Sequence, residues 1–140
     1  MTSRQKLVTS NEEILAAGRD RAVQNLVVRS TLSGLASFRL APGQKLVGEG
    51  DQACLCFAAG SDGLQLSSDN EVTDIRLETS VDKRAIFNDA SVDSLGRIRL
   101  AGVTTIGQVQ ILARDKVRSG HVDVDGLDIL AADAPARQRA

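Results

Sequence analysis

Pairs of apolar residues recur at nearly even intervals between Leu64 and Ile129. The pairs are Leu64/Leu66, Ile75/Leu77, Ile98/Leu100, Val109/Ile111 and Val122/Val124, and Ile86 stands alone in the same series. Successive members lie 11, 11, 12, 11 and 13 residues apart. Because one residue separates the two members of a pair, both side chains share one face of an extended strand. The pattern therefore predicts a run of short β-strands.

A helix is predicted ahead of these strands. Ser10 and Glu13 have the spacing of a capping box, in which the serine caps the helix and the glutamate accepts a backbone N–H. We expect a helix of about 16–18 residues, over residues 11–28. Its narrow apolar stripe is interrupted by Arg19 and Asp20, which favours packing within the subunit over a coiled coil.

Glycine and proline separate further strand candidates between the helix and Leu64. We expect strands over 27–32, 35–40 and 45–48, and a strand buried on both faces over 53–59. These elements predict a mainly β chain, in which the N-terminal helix precedes an antiparallel β-sandwich or barrel-like meander of about 8–10 short strands. Residues 1–9 would form a polar arm, residues 10–130 a single domain and residues 131–140 a flexible tail.

A short internal echo joins two of the predicted strands. Ile75-Arg76-Leu77 resembles Ile98-Arg99-Leu100. Strands share composition and matches of this length arise by chance, so we do not infer a repeat protein from it; the spacing fits a meander or stacked hairpins.

The net charge of −1 conceals an uneven distribution. Residues 1–45 carry seven Lys/Arg and three Asp/Glu, residues 46–80 carry one and seven, and residues 81–140 carry nine and eight. We expect the basic first third and the acidic middle block to meet, either within one subunit or between two.

Aromatic residues are scarce, which excludes some kinds of binding site. The chain has three phenylalanines, Phe38, Phe57 and Phe87, and neither tryptophan nor tyrosine. Single-stranded nucleic acids and many protein partners are recognised through aromatic side chains. The composition therefore argues against an aromatic-stacking nucleic-acid binder and against a sugar-stacking lectin site.

The two cysteines are interpreted as small buried side chains. Cys54 and Cys56 are two residues apart, so on a strand they point the same way and a disulfide between them would strain the backbone. Two thiolates also supply only half of a zinc site, and the single histidine adds little.

The strongest local candidate for chemistry is the segment from His121 to Asp128. Asp123, Asp125 and Asp128 supply oxygen ligands at a spacing loosely like that of a calcium loop, although the bidentate glutamate of an EF-hand is missing. Strand alternation explains the same residues, with His121, Asp123 and Asp125 facing water while the valines between them face the core. A metal role for the three aspartates stays open, and no metal ligand is assigned.

Other candidate sites have simpler explanations. Asp69-Asn70-Glu71, with Asp74, has the composition of an exposed turn. A catalytic triad would have to use His121, but no Gly-x-Ser-x-Gly elbow accompanies it. The glycines at 48–50 and 60–63 lack the Gly-Lys-Ser/Thr of a phosphate loop. We therefore assign no catalytic or cofactor-binding residue and expect a non-enzymatic protein without a cofactor.

Basic residues could form a strip on neighbouring strands. The members are Arg97, Arg99, Arg114, Lys116 and Arg118. Without aromatic residues or a recognised motif, nucleic-acid binding is not expected. No apolar run reaches the roughly 20 residues of a membrane-spanning helix, and the N-terminus lacks the apolar region of a secretory signal.

The layout resembles small structural proteins of tailed phages, of the decoration, adaptor or fibre-base type. The segment that carries the resemblance is residues 97–111, whose strands are spaced by Gly, Thr and Gln. The resemblance implies a virion protein, made in the host cytoplasm, that functions as a homo-oligomer or with neighbouring assembly proteins. It transfers no functional residue.

Two alternatives remain. The helix followed by strands also resembles a pseudopilin or minor pilin, although the hydrophobic N-terminal half-helix of that family is missing. The third hypothesis is a small ligand-binding or enzymatic β-barrel whose site consists of residues that look ordinary in sequence.

Overall fold

The computed structural model describes residues 5–89, 95–111 and 120–132. These ranges contain thirteen strands and one helix. In chain order they are β1 (Gln5–Val8), α1 (Asn11–Arg19), β2 (Asn25–Val28), β3 (Thr31–Leu35), β4 (Phe38–Arg39), β5 (Lys45–Gly48), β6 (Cys54–Phe57), β7 (Leu64–Leu66), β8 (Glu71–Thr73), β9 (Arg76–Glu78), β10 (Arg84–Asn88), β11 (Gly96–Ile106), β12 (Gln108–Gln110) and β13 (Gly120–Ala131).

The strands form a β-solenoid, in which the chain winds through successive rungs that stack in parallel. The first face stacks β1, β2, β5, β8 and the first half of β11, and the second face stacks β3, β6, β9 and the second half of β11. The third face stacks β4, β7, β10 and β12. Strand β13 pairs with β11 along most of its length and forms the last described rung.

Apolar side chains stack in columns inside the solenoid. On the first face the column is Leu26, Leu46, Val72, Leu100 and Val124. On the second face it is Leu32, Leu55, Leu77, Thr105 and Ile129, and on the third face Phe38, Leu64, Ile86 and Val109. Members of the inner rungs are buried, so each rung supplies the apolar contacts that its neighbours need.

The expected antiparallel sandwich or barrel is wrong, and so is the count of 8–10 strands. All of the described strand pairs are parallel, and partners are 20 to 28 residues apart, as with Asn25 opposite Lys45 and Glu71 opposite Arg99. The apolar pairs do mark strands, because alternation is the same in both kinds of sheet. Alternation does not indicate which strand is the neighbour, and corners rich in Gly and Asp resemble hairpin turns in sequence.

The predicted helix begins where expected and ends nine residues early. The Glu13 N–H donates to the Ser10 hydroxyl at 3.1 Å, which confirms the N-cap, and α1 ends at Arg19 rather than Val28. The β-branched residues Val27 and Val28 instead lie in β2, because pairing with β1 and β5 satisfies their backbone.

One corner of the solenoid requires left-handed backbone. Asp74, Gly102 and Gly126 occupy corresponding positions in three successive rungs, between the first and second faces, with φ of +53°, +64° and +86°. Glycine adopts this conformation without a steric penalty, and aspartate tolerates it better than most residues. The bend lets β11 and β13 pass from the first face to the second as continuous strands, which pair with each other on both sides of the corner.

The two charge blocks meet within one chain. Arg29 Nε lies 2.7 Å from Glu49 Oε1, and Lys45 Nζ lies 3.5 Å from Glu71 Oε1.

The echo between 75–77 and 98–100 has no structural counterpart, because Arg76 is opposite Thr104 rather than Arg99. No helix in the described part of the chain has the length and apolar character needed to cross a membrane.

Candidate functional site

The two ends of the solenoid differ in how they are closed. At the N-terminal end β1 pairs with β2, and α1 packs across β2, β3 and β4. The helix buries Ile14 and Ala17 against the first rung, so Leu26 and Leu32 beneath are buried. This end is therefore covered by the chain itself.

At the other end β13 carries apolar side chains that no described residue covers. Val124 is 54 % exposed although its column partner Leu100 is 1 % exposed, and Val122 is 40 % exposed although Ile98 is fully buried. Ile129 and Leu130 are about half exposed as well. Among the described strands β13 pairs only with β11, so its outer edge presents backbone groups and apolar side chains together. We call this surface the open end.

A column of alternating charge leads to the open end along the outside of the first face. Asn25, Lys45, Glu71, Arg99 and Asp123 occupy corresponding positions in successive rungs. Glu71 contacts both Lys45 and Arg99, the latter at 3.1 Å between Oε2 and Nη1, and Arg99 Nη2 lies 3.9 Å from Asp125 Oδ2. We call these residues the charge column. At the open end, the residues next to Arg99 are the carboxylates of Asp123 and Asp125.

The segment from His121 to Asp128 lies in β13 and forms part of the open end. His121 and Asp125 are exposed, as alternation predicted, and Asp123 is only partly exposed. His121 Nε2 lies 2.8 Å from Asp123 Oδ1, and Asp128 is exposed as well. Val122 and Val124 point along the core columns, as expected, but remain exposed because β13 is the last described rung. Within the described residues, Asp123, Asp125 and Asp128 do not bring three ligand atoms together as a metal ion requires.

The two cysteines lie on the outer side of β6, next to β9. Cys54 is buried and Cys56 is partly exposed, so the expectation of two buried side chains holds only for the first. Their Sγ atoms are 3.5 Å apart, and Cys56 Sγ lies 3.9 Å from Glu78 Oε1. Burial raises the pKa of Cys54 to about 12, and the hydrogen bond with Cys56 adds to the effect. The second oxygen of Glu78 accepts from Arg76 Nε.

The parallel register brings this group together. Cys54 is opposite Arg76 and Cys56 is opposite Glu78, in the next rung. Sequence reasoning missed the contribution of Glu78 because it lies 22 residues from Cys56, within a segment expected to pair as a hairpin. Within the described residues, Cys54, Cys56 and Glu78 are the one group in which three ligand atoms lie within 4.8 Å of one another.

The acidic segment at 69–71 is mainly structural. Asn70 is buried, and Asp69 Oδ1 accepts a hydrogen bond from the Arg97 N–H at 3.0 Å. Glu71 belongs to the charge column, as does Arg99. Of the expected basic strip, Arg97 and Arg99 therefore have acidic neighbours, and Arg114, Lys116 and Arg118 lie outside the described residues.

A half-open cleft of about 500 Å³ lies between α1 and β4. Three arginines, Arg19, Arg21 and Arg39, line it together with Phe38, and Arg39 Nε contacts Asp89 Oδ2 at 3.1 Å. The described residues that line the cleft include no histidine, cysteine or carboxylate.

Comparison with known proteins gives no relative for this chain: no family model, no curated protein and no solved structure matches it.

Proposed function

We propose that this protein is a non-enzymatic structural and assembly protein, of the class found in phage virions, that acts through subunit contacts at the open end. The observation that supports the proposal is the incomplete burial of β13. Val124 continues the column of Leu26, Leu46 and Leu100 but is half exposed, whereas those three are buried. Another strand placed on β13 would bury this side chain and pair with the edge of β13 that no described strand covers.

The partner that fits the open end is an extended strand of a neighbouring polypeptide that carries Lys or Arg. The charge column alternates from Lys45 to Glu71 to Arg99 and then to the carboxylates of β13. A basic residue in the next rung would continue this alternation beside Asp123 and Asp125. Apolar residues on the opposite side of the same strand would cover the exposed valines.

A second copy of the chain fits the open end less well. If two β13 strands paired antiparallel so that Val122 met Ile129, the same register would place Asp123 opposite Asp128. Asp128 is exposed and Asp123 is partly exposed, and like charges directly opposite each other destabilise a sheet. The charge column therefore favours a basic partner strand over self-pairing.

The experiment uses a peptide with the sequence of residues 97–105, Arg-Ile-Arg-Leu-Ala-Gly-Val-Thr-Thr, labelled with a fluorophore. In the chain, this sequence pairs with β13 through the inner edge of that strand. Its anisotropy is followed as the full chain is added at micromolar concentration, with light scattering to give the mass of the protein. The control peptide has both arginines replaced by glutamate.

We expect the basic peptide to bind, the acidic peptide to bind at least about tenfold more weakly, and added salt to weaken binding through charge screening. Val124→Lys should abolish binding, whereas Val81→Lys, at an exposed valine outside β13, should not. Self-association that Val124→Lys removes would favour a second copy and contradict the basic partner. A monomer that binds neither peptide would contradict an assembly role for the open end.

A further inference from the structure

The geometry points to a binding site for one zinc-class divalent cation, Zn²⁺ or Cd²⁺, formed by Cys54, Cys56 and Glu78. The three ligand atoms lie within 4.8 Å of one another and come from two neighbouring strands of the second face. The inference is independent of the open end and of the proposed assembly role. The site lies on the outside of the second face, separated from β13 by β11, and its chemistry is different.

Two of the three ligand separations match those of a tetrahedral ion, and the third, between Cys54 Sγ and the Glu78 carboxylate, lies within 4.8 Å. Zinc bonds to thiolate and carboxylate are about 2.0–2.3 Å long, so the ligands of a tetrahedral site lie roughly 3.5–4 Å apart. The separations of 3.5 Å between the two Sγ atoms and 3.9 Å from Cys56 Sγ to Glu78 Oε1 are close to this range. A water molecule would take the fourth position, because Cys56 is partly exposed.

Arg76 holds the carboxylate in position for this role. Its Nε donates to Glu78 Oε2, which leaves Oε1 directed at Cys56. Hydrogen bonds of this kind orient a metal ligand and tune its affinity. Two thiolates and one carboxylate carry three negative charges, and Arg76 carries one positive charge. A divalent cation therefore neutralises the group.

A disulfide is the competing use of two adjacent thiols. The two sulfurs are separated by 3.5 Å, whereas a disulfide requires about 2.05 Å. Cysteines two residues apart on one strand reach that distance only with strain in the backbone. Soft thiolate ligands favour zinc and cadmium over magnesium and calcium, which prefer oxygen.

Binding requires that both thiols lose their protons, since the thiolate is the ligand. Each bound ion therefore releases up to two protons, and affinity should increase as the pH rises. This requirement makes the pH dependence a signature of the site.

The experiment is a titration of the full reduced chain with Cd²⁺, followed by the ultraviolet charge-transfer absorbance of cadmium–thiolate bonds. A parallel Zn²⁺ titration in the presence of a chromogenic chelator gives the affinity. The variants are Cys54→Ser, Cys56→Ser and Glu78→Gln, and the control is Glu49→Gln, a glutamate in the same acidic block that is paired with Arg29 on the outside of the solenoid. Circular dichroism establishes that each variant is folded.

We expect one ion per chain in the wild type and in Glu49→Gln, with proton release. Either serine variant should lose the charge-transfer band, and Glu78→Gln should keep the band but bind zinc on the order of 10–100-fold more weakly, since even outer-shell partners contribute that much. The site is wrong if the wild type binds no more metal than the serine variants. It is also wrong if folded Glu78→Gln binds as tightly as the wild type.

Discussion

Asn70 lies above Gln44 at the same corner of two successive rungs, and its side-chain amide donates to the Gln44 carbonyl oxygen at 3.0 Å. The same amide group donates to the Ala41 carbonyl, and its oxygen accepts from the Ser67 N–H at 2.7 Å. Gln44 in turn donates to carbonyls at the end of α1, including that of Ala17 at 2.9 Å. Two buried amides thus connect the helix to the stacked rungs.

Removing the Asn70 amide should destabilise the fold. Asn70→Ala removes the side-chain partner of the Gln44 carbonyl and of the Ser67 N–H, and each buried group that loses its partner costs about 1–3 kcal/mol. The Ala41 carbonyl loses one hydrogen bond but still accepts from the Gln44 N–H. We expect a loss of about 3 kcal/mol in the free energy of unfolding, measured by urea denaturation. The control is Asn11→Ala, which removes an exposed hydrogen bond to the Ser33 carbonyl and should cost less than about 1 kcal/mol. Equal losses in the two variants would contradict this role for Asn70.

Gly48 is required by close packing between rungs. A Cβ at this position would lie 2.0 Å from the Asp74 carbonyl oxygen and 2.9 Å from Ala53 Cβ. Gly48→Ala should therefore destabilise the protein by about 3 kcal/mol or more. Gly34→Ala separates this clash from backbone strain, because Gly34 has φ of +67° but a Cβ added there would meet no atom within 4 Å. It should cost about 1 kcal/mol, and thermal unfolding of both variants measures the difference.

The buried hydroxyl of Thr105 makes no hydrogen bond to any described residue. It is fully buried in the column of Leu55 and Leu77, and within the described residues its Oγ1 has no hydrogen-bond partner. Thr105→Val should raise the free energy of unfolding by about 1–2 kcal/mol, because it removes an unsatisfied polar group at nearly constant volume. Thr79→Val is the matched control: the Thr79 hydroxyl donates to the Ser61 carbonyl, so this change should destabilise. A loss of stability in Thr105→Val would indicate that the hydroxyl has a partner.

The free energy of unfolding should depend on pH in the acid range because of Asp62. The side-chain hydrogen bond from Arg84 lowers the pKa of Asp62, and the Arg84 backbone N–H contributes as well. Because the folded-state pKa is lowered, the stabilisation is fully present above the ordinary pKa of 3.8 and is lost as the pH falls through the lowered value.

Asp62→Asn removes the charge but keeps an acceptor for the Arg84 N–H. The partly exposed ion pair should contribute about 0.5–1 kcal/mol near pH 7, and the difference from the wild type should shrink at about pH 2. Urea unfolding at both pH values measures it, with Asp51→Asn, in an exposed turn, as the control. A difference that persists in acid would show that the charge of Asp62 is not its source.

The local features of the fold could be predicted from the sequence. The Ser10–Glu13 spacing located the start of α1, and the apolar pairs from Leu64 to Val124 all lie in or beside strands. The segment Lys45–Gly48 forms β5 as expected. These features depend on residues a few positions apart, whose preferences are readable in a single sequence.

The features that required long-range information were not predictable. Parallel stacking pairs residues 20 to 28 positions apart, and nothing in the alternation of Ile98 and Leu100 specifies their neighbours. The same uncertainty concealed the contact between Cys56 and Glu78 and the exposure of Val124. Each depends on which rung lies next to which, and for Val124 on the position of β13 as the last described rung.

The central claim is that β13 accepts a further strand at the open end, and amide hydrogen exchange of β13 tests it most directly. The amides of β13 that point away from β11 have no described partner strand, so they should exchange rapidly in the chain alone. With the basic peptide of residues 97–105 at saturation, we predict slower exchange in β13, while β1 and α1 are unchanged. Unchanged exchange in β13 together with protection of another surface would contradict the claim.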